Sequence, residues 1–347
     1  MFEVCGYAAK SAGSRLEPFS FHRRNPGDND VVIDIAYCGI CHSDVHQVRD
    51  EWGGAAFPMV PGHEIAGRVS RIGKEVVKFK VGDAAGVGCL VDSCRKCSSC
   101  HAHLEQHCEG RISFTYNSTE QDGKTPTYGG YSSQIVVDEA FALKIKAGEP
   151  LEAAAPLLCA GITTYSPLKR FGARPGSRVG IVGLGGLGHM AVKIAAALGA
   201  EVFVLSGSKS KQAGAKRLGA HEFILTSDAA KMQALAGRLN LIVDTVSAKH
   251  DLNACLNLLS LEGTLALVGA SPQPLEFGTL PLITGRRFIA GSLIGGIAET
   301  QEMLDFCAAK KIRADVETIA MTDVNAAYAR LLKGDVRYRF SIDMKTL

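Results

Sequence analysis

Four cysteines lie close together in one polar segment, with two, two and seven residues between them: Cys94, Cys97, Cys100 and Cys108. Four thiolates on so short a segment can surround one Zn²⁺ tetrahedrally, each sulfur about 2.3 Å from the metal, and they leave no coordination position for a substrate. Disulfides are the alternative. The chain has 11 cysteines, an odd number, and its first residues, MFEVCGYAAKSAG, show no basic segment followed by an apolar one. We therefore expect a reducing cytoplasmic location and a structural zinc in a loop over residues 89–110.

A second motif, GLGGLGH, begins at Gly183 and follows the apolar run RVGIV. Gly183, Gly185 and Gly188 match G-x-G-x-x-G between a predicted strand and a predicted helix, the context in which this motif binds dinucleotides. Gly183 allows a tight turn, Gly185 lets the backbone approach a pyrophosphate, and Gly188 lets helix and strand pack closely. Gly186 and Leu187 complete the predicted loop. A glycine-rich turn in a sheet without a ligand is the alternative.

The end of the next predicted strand indicates which dinucleotide binds. NAD sites usually have an acidic residue there for the ribose 2′-hydroxyl, but this chain has Gly207, about 19 residues past the fingerprint. Ser206, Ser208 and Lys211 instead offer hydroxyls and a positive charge, which suit a 2′-phosphate. We predict NADP(H), with NAD(H) as the alternative.

These motifs require two kinds of scaffold. Up to about residue 150, short β-rich runs separated by Gly, Pro and Asp turns predict a compact β-rich domain. Beyond it, apolar strands such as RVGIV, EVFVL and TLALVG alternate with helical segments, which predicts a parallel sheet flanked by helices. We therefore expect an α/β protein in which residues 1–153 form the β-rich domain, residues 154–290 bind the dinucleotide, and residues 291–347 complete the first domain and the domain junction.

Composition excludes several classes of protein. The chain has 347 residues, 46% of them hydrophobic and 21% charged, as in an ordinary globular protein. A net charge of +3 gives no general attraction to nucleic acid or to an anionic membrane. The longest apolar stretches fall short of the roughly 18 residues that span a bilayer. We expect no nucleic-acid or membrane partner. Four further cysteines have apolar neighbours and are predicted to be buried thiols: Cys5, Cys89, Cys255 and Cys307.

Three further segments contain scattered cysteines and histidines: CGICHSDVH, PGHEIAG and LLCAGITTYSP. Together with the cysteine loop, GLGGLGH, GSLIGG and RYRF, they make the chain resemble, essentially from end to end, a zinc-dependent alcohol dehydrogenase. The resemblance is to the medium-chain dehydrogenase/reductase superfamily and its cinnamyl alcohol dehydrogenase-like group. It implies a GroES-like catalytic domain, a Rossmann domain with a doubly wound parallel sheet, and two zinc ions per chain, one catalytic and one structural.

The resemblance also implies a catalytic zinc site. Cys41, His63 and Cys159 would bind this ion, with Glu64 beside it as an occasional ligand. A site with two cysteines, one histidine and an open fourth position suits catalysis, because the substrate oxygen can occupy that position. Asp44 would accept the other ring proton of His63 and so orient the imidazole.

Further roles follow from the same resemblance. Ser43 and His46 match a proton relay to solvent, although an exposed loop histidine is the alternative for His46. Trp52, the only tryptophan, would line an aromatic substrate pocket with Phe114 and Leu293, although a lone tryptophan is more often simply packed.

Four residues outside the glycine-rich loop are implied as cofactor contacts. Thr163 resembles a threonine that packs on the nicotinamide, and Ser292 and Ile294 resemble backbone contacts to its carboxamide. Arg339 resembles a contact to the pyrophosphate, with a surface arginine on an edge strand as the alternative.

The predicted activity is reversible hydride transfer between NADP(H) and a primary alcohol or aldehyde, either aromatic, such as cinnamyl or benzyl, or aliphatic. The small-molecule substrate is the expected partner, in a homodimer that the resemblance and the apolar strand RFIAGS favour. An NAD-dependent polyol dehydrogenase of the same superfamily is one alternative. A zinc-bearing nucleic-acid-binding protein is another, although the cysteine loop contains only Arg95 and Lys96 as fixed cations and would leave the dinucleotide fold unexplained.

Overall fold

The computed structural model describes all 347 residues of the chain. The strands, in chain order, are β1 (Phe2–Ala8), β2 (Glu17–Arg23), β3 (Asp30–Ile40), β4 (Ile65–Ile72), β5 (Ala84–Val87), β6 (Leu90–Asp92), β7 (Ser113–Phe114), β8 (Ser118–Thr119), β9 (Pro126–Thr127), β10 (Gln134–Asp138), β11 (Leu143–Lys144), β12 (Arg178–Val182), β13 (Glu201–Ser206), β14 (Glu222–Leu225), β15 (Leu239–Asp244), β16 (Leu259–Leu267), β17 (Phe288–Gly291), β18 (Val316–Ala320) and β19 (Arg339–Asp343).

The α-helices are mostly short. They are α1 (His42–Val48), α2 (Ser98–His101), α3 (Leu151–Ala154), α4 (Ala160–Arg170), α5 (Gly188–Ala197), α6 (Gln212–Leu218), α7 (Ala229–Leu235), α8 (Leu252–Leu258), α9 (Leu280–Gly285), α10 (Ile297–Lys310) and α11 (Val324–Leu332). None of them is both long enough and apolar enough to cross a membrane.

The chain divides into two compact units. The discontinuous unit consists of Met1–Cys159 and Gly295–Leu347, and the continuous unit consists of Ala160–Ile294. The structure therefore places the two unit boundaries after residues 159 and 294, whereas the sequence predicts domain boundaries after residues 153 and 290.

The discontinuous unit is built on a sheet with strand order β11-β5-β4-β3-β19-β18, in which β10 also pairs with β3. All of these pairings are antiparallel except that of β18 with β19. The apolar run of β3 is almost wholly buried, since strands pair with it on both sides. The last part of the chain supplies β18 and β19, so it contributes directly to the sheet on which the first part folds.

The cysteine loop lies between β6 and β7 and contains the short helix α2. Its Glu105 carboxylate accepts a hydrogen bond from the backbone N–H of Ile297 at 3.0 Å. Ile297 is the first residue of α10. A carboxylate at a helix N-terminus satisfies a backbone donor that would otherwise lack a partner, and it interacts favourably with the helix dipole. The loop is therefore tied to the C-terminal segment of its own unit.

The continuous unit contains a six-stranded parallel sheet with strand order β14-β13-β12-β15-β16-β17. Its central strands are apolar along their length because helices alternate with strands in the chain and cover the sheet. The order of the strands reverses between β12 and β15, which is the position where such sheets bind dinucleotides. The predicted combination of a β-rich domain and a doubly wound parallel-sheet domain is confirmed.

The edge strand β17 and the neighbouring helix α9 expose several apolar side chains. Leu280 is 68% exposed, Ile283 is 71% exposed and Phe288 is 57% exposed. β17 pairs only with β16, so its other edge has free backbone groups.

Candidate active site and metal centres

Four side chains of the discontinuous unit converge on one point. Ligand atoms of Cys41, His63, Glu64 and Cys159 all lie within 4.8 Å of one another. Cys41 Sγ is 3.9 Å from Cys159 Sγ, and His63 Nε2 is 3.2 Å from the same sulfur. All four residues are buried. The structure thus brings together the four residues predicted for the catalytic zinc.

This donor set fits zinc. Two thiolates bound tetrahedrally at about 2.3 Å would lie about 3.8 Å apart, close to the separation found. Burial alone lowers the pKa of His63, but Cys89, Asp44 and Cys41 raise it well above its usual range. A hydrogen bond from the Cys159 thiol lowers the pKa of Cys41. Two sulfurs and an imidazole, the ligand types that Zn²⁺ prefers, therefore meet in one buried place.

Asp44 holds the histidine in position. Its carboxylate is fully buried, and Oδ1 lies 3.2 Å from His63 Nδ1. Because a carboxylate only accepts hydrogen bonds, this contact places a ring proton on Nδ1, so Nε2 is the nitrogen that faces the sulfur cluster and can bind a metal. Asp44 occupies the third position of α1, where Oδ2 accepts the backbone N–H of Cys41 at 2.8 Å. One carboxylate therefore positions two of the predicted ligands.

Glu64 and Arg339 form a buried ion pair beside the cluster. Glu64 is completely buried and Arg339 is 2% exposed. A guanidinium N–H of Arg339 donates to Glu64 Oε1, while Glu64 Oε2 has no hydrogen-bond partner. An unpaired buried carboxylate oxygen next to two thiols and an imidazole is a further donor for a cation. The cofactor role of Arg339 stays a prediction. The alternative of a surface arginine on an edge strand is wrong, because Arg339 is buried and β19 lies between β3 and β18. The sequence did not indicate its pairing with Glu64.

The predicted relay residues lie on α1. Ser43 and His46 are three positions apart and therefore neighbours on the helix surface, and Ser43 Oγ is 3.6 Å from Cys41 Sγ. His46 Nδ1 is hydrogen-bonded to the carboxylate of Glu51, and this bond lowers the pKa of Glu51. Sequence reasoning missed Glu51, although an acidic residue five positions after a relay histidine was a usable signal.

The three predicted pocket residues are partly exposed. Trp52 is 42% exposed and stacks on His46, with ring centroids 4.9 Å apart. Phe114 lies opposite Leu90 in the β6–β7 pair, and Leu293 belongs to the continuous unit. The pocket assignment of Trp52, Phe114 and Leu293 stays a prediction.

Two of the four cysteines predicted to be buried behave differently. Cys255 and Cys307 are buried as predicted, but Cys5 is exposed because it lies on the outer face of the two-stranded β1–β2 sheet. Cys89 is half-buried, and a hydrogen bond from Cys159 lowers its pKa. Cys89 is therefore a neighbour of the catalytic cluster, which nothing in its local sequence indicated.

The four loop cysteines form a second cluster, with all four sulfurs within 4.8 Å of one another. Cys94 Sγ is 3.9 Å from Cys100 Sγ, and Cys97 Sγ is 4.0 Å from Cys108 Sγ. Backbone N–H groups donate hydrogen bonds to sulfurs of this cluster. The bond from the backbone N–H of Lys96 to Cys94 is the largest of the effects that lower the pKa of Cys94 to about 6. Backbone donors that stabilise thiolates suit a tetrahedral four-sulfur zinc site with no open position.

The glycine-rich loop follows β12 in the continuous unit. Gly183 has φ +87°, a conformation that favours glycine, and a Cβ at Gly188 would collide with the Gly183 carbonyl oxygen. A Cβ at Gly185 would meet no atom within 4 Å, so the backbone there is open to a ligand. Leu187 is the N-cap residue of α5, and the Gly186 carbonyl oxygen lies 2.8 Å from His189 Nδ1. The loop has the form that a pyrophosphate requires.

A cleft of about 620 Å³ adjoins this loop at the end of β13. Gly183, Ser206, Gly207, Ser208 and Lys211 all line it, so the residues predicted for the 2′-phosphate share one cleft.

One residue of the same cleft belongs to a pair that sequence reasoning missed. His250 lines the cleft, and its Nε2 lies 2.7 Å from the buried carboxylate of Asp244 at the end of β15. The signal was an acidic residue at a strand end followed shortly by a histidine.

The remaining predicted cofactor residues also lie in the continuous unit. Thr163 is buried on α4. The backbone N–H of Ser292 donates to the Leu267 carbonyl at 3.1 Å, and Ile294 has φ +37°. Their contacts to the nicotinamide stay predictions.

Comparison with known proteins places this chain in a family. Residues 27–147 match the alcohol dehydrogenase GroES-like domain, and residues 186–309 match the family described as zinc-binding dehydrogenase. The chain belongs to the zinc-binding alcohol dehydrogenases, and the predicted family is confirmed.

Individual relatives are similar along the whole chain. The chain is 54% identical to an NADP-dependent alcohol dehydrogenase C of Mycolicibacterium smegmatis, covering 100% of this chain and 99% of the relative. It is 53% identical to a probable mannitol dehydrogenase of Fragaria ananassa, and the match covers 99% of this chain and 95% of the relative. The solved structure of a cinnamyl alcohol dehydrogenase from Sorghum bicolor superimposes on this chain with a TM-score of 0.96. The two sequences are 46% identical, and the match covers 99% of this chain and 98% of the other.

Proposed function

We propose that this protein is an NADP(H)-dependent zinc alcohol dehydrogenase that interconverts primary alcohols and aldehydes. The observation that carries the proposal is the buried convergence of Cys41, His63 and Cys159, three zinc ligands from distant parts of the chain. Three protein ligands leave a tetrahedral ion one position for a substrate oxygen. The four loop cysteines hold a second, structural ion.

Zinc at the first site supplies a Lewis acid that stabilises negative charge on the substrate oxygen, and the nicotinamide supplies or accepts the hydride. The protein's own part is positioning and proton transfer. Cys41 and Cys159 bind as thiolates, and Asp44 keeps the lone pair of His63 Nε2 directed at the site. Glu64 is balanced by Arg339, so its charge is not left unpaired next to the reacting groups.

Proton transfer is assigned to α1. Ser43 lies beside the ligand Cys41, and His46 lies one turn further along the same face. His46 donates through Nδ1 to the Glu51 carboxylate, which leaves Nε2 as the nitrogen that exchanges a proton with the reaction. Glu51 thereby fixes the orientation of the His46 ring.

The cofactor is NADP(H). The cleft at the end of β13 has Ser206, Ser208 and Lys211 on its wall and no carboxylate at Gly207, where NAD sites place one. The relative from Mycolicibacterium smegmatis is named for NADP. Because cells keep NADPH mainly reduced, aldehyde reduction is the favoured direction.

The substrate class has one competing candidate. A relative at 53% identity is named a probable mannitol dehydrogenase, so a polyol substrate has support of its own. Aromatic and aliphatic primary aldehydes remain our first choice because Trp52 places an aromatic surface against the relay residue His46.

Two further properties complete the proposal. The exposed apolar residues of α9 and β17 beside a free strand edge support a homodimer through that edge, which sedimentation of the wild type and of Phe288→Glu would test. The six thiolate ligands need a reducing compartment, which supports a cytoplasmic location.

The proposal is tested by two measurements on the purified protein. Metal analysis should find two zinc ions per chain; a single ion would mean that one of the two clusters has been misassigned. Consumption of NADPH and NADH should then be followed with benzaldehyde, cinnamaldehyde, aliphatic aldehydes and the sugar mannose. Faster turnover with NADPH and the aldehydes supports the proposal, whereas faster turnover with NADH and mannose replaces it with the polyol function.

A further inference from the structure

Two buried tyrosines far along the chain lie beside the Asp44 carboxylate. Tyr116 stacks on His63, and burial together with the charge of Asp44 and a hydrogen bond to it raises the pKa of Tyr116 well above its usual range. The Tyr131 hydroxyl donates to Asp44 Oδ2 at 3.2 Å. Tyr131 is fully buried, in the loop before β10. The Tyr328 hydroxyl lies 3.4 Å behind it and donates to the Tyr131 hydroxyl. Two hydroxyls thus form a chain that ends on the carboxylate.

Tyr131 is the side-chain donor that reaches Oδ2 of this carboxylate. An ionised carboxylate offers about four lone-pair sites. Asp44 Oδ1 receives the backbone N–H of Gly62 at 3.2 Å and faces His63 Nδ1 at 3.2 Å. Oδ2 receives the backbone N–H of Cys41 at 2.8 Å and the Tyr131 hydroxyl. Without that hydroxyl, the buried anion would lose the side-chain donor to Oδ2, and a carboxylate free to rotate would hold His63 less firmly.

Tyr328 adds a connection to a distant part of the chain. It lies on α11, in the C-terminal segment of the discontinuous unit. A hydroxyl that accepts one hydrogen bond becomes a better donor in the next, so Tyr328 strengthens the bond from Tyr131 to Asp44.

We propose that Tyr131 and Tyr328 are positioning residues of the catalytic zinc site, whose hydroxyl chain fixes the Asp44 carboxylate and so sets how firmly His63 holds the ion. This inference rests on the proposed function, because it requires zinc at the cluster of Cys41, His63 and Cys159. Neither tyrosine belongs to the cluster of metal ligands.

The test measures loss of zinc rather than activity. Wild type, Tyr131→Phe, Tyr328→Phe and the double variant are loaded with zinc and exposed to a chromophoric chelator, and both ions are followed in time. Loss of the catalytic zinc should be faster by roughly ten- to a hundredfold in Tyr131→Phe, the range found for partners of metal-bound histidines. Tyr328→Phe should accelerate it severalfold. The double variant should be no faster than Tyr131→Phe, since the two hydroxyls act in series.

Two controls separate positioning from general destabilisation. The structural zinc in the cysteine loop is an internal control, because its rate of loss should not change in any variant. Tyr128→Phe is the matched substitution: it lies in the same loop, and its ring packs against Phe21 at 4.6 Å rather than near Asp44. It should release both ions at the wild-type rate.

Other outcomes overturn the inference. These are an unchanged rate in Tyr131→Phe or Tyr328→Phe, additive effects in the double variant, or equal acceleration at both zinc sites. If Tyr131→Phe does not fold, the Tyr328→Phe variant tests the inference by itself. Loss of the catalytic zinc from Tyr328→Phe at the wild-type rate then refutes the role of the two hydroxyls. A wild-type protein that binds only one zinc would instead contradict the proposed function.

Discussion

Gly207→Asp should convert the cofactor preference, because it restores the acidic residue that NAD sites carry at this strand end. The substitution is sterically permitted. A Cβ at Gly207 would meet only Thr226 Oγ1, at 3.8 Å, and the residue does not have a positive φ. The new carboxylate would face the cleft between Ser206 and Ser208, where the 2′-phosphate of NADP(H) is expected.

The size of the effect follows from Coulomb's law. Two unit charges about 5 Å apart repel by about 1.7 kcal/mol at an effective dielectric constant of about 40, between those of protein surface and water. A phosphate monoester carries nearly two charges at neutral pH, so the total is about 3 kcal/mol, or roughly a hundredfold weaker NADPH binding. Hydrogen bonds from the ribose hydroxyls of NADH to the carboxylate should strengthen NADH binding by roughly tenfold.

The assay is a pair of fluorescence titrations with NADPH and NADH, repeated at low and high salt, alongside kcat/KM for each cofactor at a fixed aldehyde concentration. Gly207→Asn is the matched control, since it has the same shape without the charge. The reasoning fails if Gly207→Asp and Gly207→Asn weaken NADPH binding equally, or if the loss caused by the aspartate is unaffected by high salt, which screens charges in an open cleft.

Three other substitutions test the rest of the site. Cys159→Ser should reduce the zinc content from two ions to one and lower turnover by roughly a hundredfold or more. The affinity for NADPH, measured by titration, should be that of wild type. Retained turnover would show that Cys159 is not a zinc ligand. Arg339→Met should lower the free energy of unfolding in urea by about 3–5 kcal/mol, because it leaves the buried Glu64 carboxylate unpaired. The double variant with Glu64→Gln should regain most of that stability. If Arg339→Met is as stable as wild type, the buried ion pair is contradicted. Glu51→Gln should lower kcat severalfold and change the pH profile of kcat without changing the KM for NADPH. Glu51→Asp, which keeps the carboxylate, should recover part of the rate. If Glu51→Gln and wild type have identical pH profiles, Glu51 is not part of the relay.

The sequence predicted the features that depend on local spacing. The four loop cysteines lie within 14 residues of one another, so few conformations can separate their sulfurs, and the glycine-rich loop is recognisable because an apolar strand precedes it and a helix follows it. The parallel sheet around β12 followed from the regular alternation of strands and helices.

The supporting residues of the catalytic site were not predictable in this way. Tyr131, Tyr328 and Cys89 are ordinary residue types whose partners are remote in the chain, and no local pattern marks which buried tyrosine contacts an aspartate. Arg339 did carry a signal. It is a charged residue between two aromatic residues, Tyr338 and Phe340, and a buried charge requires a partner. The identity of that partner, Glu64, depends on how β19 and β4 are placed around β3, which the sequence alone does not specify.

The pairing of β19 with β3 has a consequence for biosynthesis. Residues Tyr37–Ile40 of β3, which lead directly into Cys41, hydrogen-bond with Phe340–Asp343. A growing polypeptide exposes that edge from early in translation and must leave it vacant while the entire dinucleotide-binding unit emerges from the ribosome. Arg339 arrives with the same late strand, so the neutralising partner of Glu64 is among the last parts of the catalytic pocket to be made. Chains cut short before β19 would display an open strand edge beside an incompletely balanced zinc pocket, which makes them natural substrates for cellular quality control.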